Sequence, residues 1–98
     1  MTDIEIKQSS SGHFIFAGVL DQKTVPKIWL QRNILKAEND NIVIDLAEVS
    51  HSDSAGLAFL TCLQSEAITA KQQLSFINIP QQLKQLIELG RLDDILNI

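Results

Sequence analysis

The stretch from Ile42 to Leu60 constrains the fold of this chain more than any other. It begins with the compact apolar run Ile42-Val43-Ile44, which ends in Asp45-Leu46. Apolar β-branched residues at consecutive positions suit a strand that is covered on both faces. A polar turn follows, His51-Ser52-Asp53-Ser54, and after Gly56 the apolar residues recur with helical spacing. Ser or Asp just ahead of such a segment signals a helix N-terminus. The junction therefore gathers hydroxyls, a carboxylate and free backbone N–H groups at one exposed point, where function is expected.

The flanking segments extend this pattern into a whole fold. Ile4, Ile6 and Gln8 alternate with Glu5 and Lys7, Ser9-Ser10-Ser11-Gly12 reads as a turn, and His13 to Leu20 reads as a second strand. The two predict an antiparallel hairpin, with Gly18 marking a bulge. A first helix is expected from about Thr24 to Glu38, capped by Asp21 or Thr24, with Pro26 in its first turn. On its wheel Val25, Ile28, Trp29 and Leu35 share one side while Leu30 and Ile34 lie opposite. One sheet cannot cover both sides, so a second helix or a partner must meet one of them. Asn39-Asp40-Asn41 supplies turn chemistry before the central strand, expected over Ile42–Leu46, with Ala47 to His51 as a connection.

The second helix is expected from about Ser54 to Ala70. Its core side holds Leu57, Leu60, Leu63, Ala67 and Ile68, with Phe59 at the margin. The opposite side carries Ala58, Thr61, Cys62, Ser65 and Thr69. Surface helices usually place Lys and Glu there, so a small, uncharged face points to close packing against something else. Leu74 to Ile79 reads as a further strand, and Pro80 opens a third helix carrying Leu83, Leu86 and Ile87, with Gly90 as its C-cap. Leu92, Ile95 and Leu96 form an apolar tail expected to dock. The order predicts one α/β domain over residues 1–98: a mixed sheet of four to five strands with helices mainly on one face.

Composition removes several functions. The 98 residues carry a net charge of −4 with no Lys/Arg cluster, and nucleic-acid binding needs a basic face. No apolar run approaches the roughly 20 residues that cross a bilayer, and the acidic start Met1-Thr2-Asp3-Ile4-Glu5 is unlike a secretory signal. A cytoplasmic domain is expected. The single cysteine, Cys62, offers no internal disulfide, and His13 and His51 are too poorly accompanied for a metal site. There is no phosphate-binding glycine loop, and the spacing of His51 and Ser54 does not define an activated nucleophile. A binding module is expected, with neither catalysis nor cofactor.

At this point the chain resembles the STAS domain family, whose founding members are anti-sigma factor antagonists. The resemblance rests on Asp45-Leu46 at the strand end, on Asp53-Ser54-Ala55-Gly56-Leu57 opening the helix, and on Gly18-Val19-Leu20-Asp21. It covers essentially the whole chain. Within the family, Leu20-Asp21-Gln22 followed by Trp29 and Arg32 is most similar to the small STAS subunits of Mla-type phospholipid ABC transporters. That similarity implies an accessory subunit which binds the transporter's ATPase and reaches the inner membrane only through that complex. It implies a docking surface of Asp53, Ser54, Ala55, Leu57, Ala58, Cys62 and Ser65, bordered by Asp21, Trp29 and Arg32. The sigma-regulating members imply a different role, a switch controlled by phosphorylation of Ser54. Ala55 departs from their motif, which has a second serine there. The residues alone leave plainer readings open: Ser54 or Asp53 as a helix cap, Asp21 as a cap, and Trp29 as core.

Overall fold

In the computed structural model, residues 3–35 and 40–96 are described. The first strands, β1 (Ile4–Ser10) and β2 (His13–Leu20), pair antiparallel. Gly12 turns between them with φ 75°, a conformation that costs glycine little. Strand β3 (Asn41–Ser52) lies parallel to β2, and β4 (Gln73–Ile77) lies parallel to β3. The sheet is four-stranded and mixed, in the order β1-β2-β3-β4. Phe14, Phe16, Leu20, Ile42, Ile44, Leu46, Leu74 and Phe76 point into one core with Ile28, Leu60, Leu63, Leu83, Ile87 and Leu96 from the helices. The alternating positions Ile15, Ala17, Val43 and Asp45 are only half-buried, and Ser75 and Ile77 are exposed. The helices therefore cover one face, as the element order predicts, and β3 is buried on that face alone, so the coverage of both faces expected from Ile42-Val43-Ile44 is corrected. Among the described residues no helix is long and apolar enough to cross a membrane.

The central strand is longer than its sequence pattern suggests. The expected connection from Ala47 to His51 is strand, and β3 runs on to Ser52. Its inward positions shift from Ile42, Ile44 and Leu46 to Val49 and then Ser52. The register with β2 slips in step, between Ile15 and Ala17 and again between Gly18 and Val19. Each extra residue breaks the period of two without ending the pairing, which is how a bulged strand imitates a loop. The irregularity expected at Gly18 falls opposite it, since the extra residue is Ser50 of β3, and Gly18 has φ 118°.

The first helix is a second correction. Helix α1 spans only Val25–Trp29, and a 3₁₀ turn, Arg32–Leu35, follows it. The part of the expected helix beyond Leu35 lies outside the described residues. Gln31 donates to Ile28 O and Ile34 to Gln31 O, so the chain tightens to three-residue spacing. Ile28 and Leu35 are buried, as their shared side predicts, while Leu30 is 80% and Ile34 48% exposed. Helix α2 (Ser54–Thr69) matches its expected extent to within one residue, although Ile68, placed in the core by its spacing, is 64% exposed. Helix α3 (Gln81–Gly90) ends with Arg91 at φ 53°, so Arg91 rather than Gly90 takes the left-handed closing position. The apolar tail docks in part as α4 (Asp93–Leu96), with Leu96 fully buried and Leu92 half-buried, whereas Ile95 is 48% exposed.

Candidate functional site

The junction between β3 and α2 is seated against the end of β2 by a glycine. A Cβ at Gly56 would collide with the Leu20 carbonyl oxygen and approach Leu20 Cγ to 3.0 Å. Without a side chain there, the first turn of α2 reaches β2, and Asp53 N–H donates to Leu20 O at 3.3 Å. Asp53 is the N-cap: its Oδ1 accepts from Ala55 N–H at 2.9 Å and from Gly56 N–H at 3.1 Å. The plain reading of Ser54 as the cap is therefore corrected. Ser54 is the first helical residue, exposed, with its hydroxyl outside the cap.

Asp21 caps the turn before α1 rather than the helix itself. Its Oδ1 accepts from Lys23 N–H at 2.9 Å and from Thr24 N–H at 3.1 Å. Desolvation pushes its carboxyl up, but those two N–H groups, the Thr24 hydroxyl and the nearby His51 outweigh it and hold the pKa below the ordinary value. Thr24 sits at the N-cap without capping, because its hydroxyl donates to Val19 O at 2.7 Å.

Along α2, residues Ser54, Ala58, Cys62 and Ser65 are all exposed and follow one line at four- and three-residue steps. Thr69 continues it. Ala55 is half-buried beside this line, whereas Leu57 is in the core and lies beneath any docking surface rather than on it. Trp29 and Arg32 border the same helix. The Trp29 ring packs edge-on to Phe59 with centroids 6.0 Å apart, and the Arg32 guanidinium lies 3.9 Å over the Trp29 ring. Arg32 also donates to Trp29 O at 2.8 Å and pairs with Glu66 at 3.3 Å. Both are half-buried, so Trp29 is at once a core residue and a border of the surface.

The structure thus brings Asp21, Asp53 and Ser54 to one end of the sheet and sets Trp29 and Arg32 against the flank of α2. Two participants escape the sequence reading. Glu66 anchors Arg32, and its signal was that α2 carries no other charge. The Gln22 backbone N–H, which donates to Asp53 Oδ2 at 3.2 Å, has no sequence signal at all. Among the described residues no three His, Cys, Asp or Glu side chains gather as they would around a metal ion. What the arrangement offers chemically is an uncharged helix face with a polar, hydrogen-bonded end.

Comparison with known proteins places the fold in a family. A curated anti-sigma-B factor antagonist from Listeria monocytogenes is 32% identical over 98 residues, spanning 97% of this chain and 86% of that protein. Two structures of the Bacillus anti-sigma factor antagonist SpoIIAA share the fold at 15% identity. The unphosphorylated form has a TM-score of 0.67 over 89% of this chain and 83% of that one. The phosphorylated form gives 0.69 over 93% and 86%. The family model described as "Mlab, STAS domain" matches residues 7–97. With nearly the full length matched and the fold shared, the chain belongs to the STAS domain family.

Proposed function

We propose that this STAS domain is a non-catalytic accessory subunit which docks on the cytoplasmic ATPase of a phospholipid ABC transporter. In that role it serves a complex that maintains outer-membrane lipid asymmetry, and it reaches the inner membrane only through its partner. The observation that carries the docking reading is the exposed line Ser54, Ala58, Cys62, Ser65 on a 16-residue helix whose only charge is Glu66. Small side chains permit a partner's backbone to approach closely, and an uncharged face loses little on desolvation. The transporter partner is supported by the Mlab description of the matching family model and by Trp29 and Arg32 beside the helix.

Ala58→Arg tests the surface. Ala58 is exposed, so the variant should keep its melting temperature while a bulky, unpaired charge enters the contact and abolishes ATPase binding in titration calorimetry. Normal affinity in the folded variant removes this face from the site.

A second reading has its own support. The curated relatives are anti-sigma-B factor antagonists, and SpoIIAA is described in phosphorylated and unphosphorylated forms. Ser54, exposed at the first position of α2, is accessible to a kinase. In that reading the chain binds an anti-sigma factor and is released when Ser54 is phosphorylated. Affinity capture from native membranes together with intact mass spectrometry separates the two. A captured ATPase and an unphosphorylated Ser54 support the transporter role, whereas a captured anti-sigma factor and a stress-responsive phosphate overturn it.

A further inference from the structure

Helix caps rank Asp, Asn and Ser as near equals, so capping alone does not explain the carboxylate at position 53. The two oxygens of Asp53 have different partners. Oδ1 closes the first turn of α2 through Ala55 and Gly56. Oδ2 reaches across to the loop between β2 and α1 and accepts the Gln22 N–H at 3.2 Å. Only an ionised carboxylate presents two acceptor oxygens in this geometry. Asn would turn a donor toward Gln22, and Ser is too short to span both.

The loop that Oδ2 holds is closed on itself. Asp21 binds Lys23 N–H and Thr24 N–H, Asp21 N–H donates to the Thr24 hydroxyl at 3.0 Å, and that hydroxyl donates to Val19 O. Val25 N–H donates to Asp21 O at 2.9 Å, carrying the same bonding directly into α1. Asp21 and the start of α1 are therefore bonded to the loop, while Ser54 and Ala58 sit on α2, which Trp29 and Arg32 touch further along through Phe59 and Glu66.

We propose that Asp53 is a positioning residue that registers these two halves of the docking surface, one carboxylate oxygen for each half. It acts through backbone N–H groups rather than by touching the partner. The inference rests on the docking reading given above.

Amide hydrogen exchange by NMR, paired with titration calorimetry, tests it on Asp53→Asn and Asp53→Ser. Both variants keep a capping oxygen, so Ala55, Gly56 and the melting temperature should stay close to wild type. Gln22 N–H should exchange about tenfold faster in each. Affinity for the Mla-type transporter ATPase subunit should fall about tenfold or more. Unchanged exchange at Gln22 in both variants overturns the bridge. Faster exchange with unchanged affinity overturns the positioning role, and lost affinity with unchanged exchange makes Asp53 a direct contact instead. Wild-type protein that binds no transporter ATPase overturns the partner assignment. The affinity comparison then runs with a serine-kinase anti-sigma factor, where the same outcomes decide the inference.

Discussion

Helix α2 and the α1 segment flank the same surface, yet they are held in opposite ways. Helix α2 has 16 residues and is closed by its own neighbours in sequence. Asp53 caps its start, and at its end Lys71 N–H and Gln72 N–H return to Ile68 O and Ala67 O. Helix α1 has five residues, no side-chain cap bond, and a 3₁₀ turn in place of a continuation. A helix that short does not persist by itself. It is held by Leu35 and Ile28 in the core and by Trp29 and Arg32 gripping Phe59 and Glu66 of α2. One side of the surface is built by local chemistry, and the other borrows its shape from the first.

The comparison predicts that damage travels in one direction. The largest effect should come from Gly56→Ala, because the new Cβ has nowhere to go but the Leu20 carbonyl. Lifting α2 off β2 should cost about 3 kcal/mol and loosen both regions together, as read by urea denaturation and amide exchange. A variant as stable as wild type would show that the seating of α2 does not depend on that close approach.

Arg32→Ala should do less, and only locally. Its ion pair with Glu66 involves side chains 23% and 29% exposed, and with the stacking on Trp29 its loss should cost about 1 kcal/mol. Exchange should rise across Val25–Leu35 while α2 keeps its protection. Equal loosening of α2 would break the asymmetry, since it would mean that each region holds the other.

The smallest effect is expected at Ser54. The cap belongs to Asp53, so Ser54→Ala should change stability by no more than about 0.5 kcal/mol. A thermal melt showing a loss of about 1 kcal/mol would return the capping role to Ser54 and weaken the case that its exposed hydroxyl is reserved for a partner.

How much of this was legible in the chain differs between the two regions for the same reason. Asp53, Gly56 and the run of Leu57, Leu60, Leu63 and Ala67 locate α2 and its buried side because cap, glycine and helical period are all local signals. The small outer face could be read in the same way. The order of strands and helices along the chain predicts the mixed sheet with its helices on one face, whereas the apolar run of β3 overstates its burial. Three things were decided only by tertiary structure. Strand β3 continues through Ala47 to Ser52 because bulges keep it paired with β2, and no local period survives a bulge. The first helix stops at Trp29 and a 3₁₀ turn carries Leu35 into the core, although Ile28 and Leu35 would share one face of a continuous helix, so no local period marks the break. The tie from Asp53 to Gln22 joins groups 31 residues apart. It exists because a glycine lets two chain segments approach until a carboxylate and a backbone N–H meet.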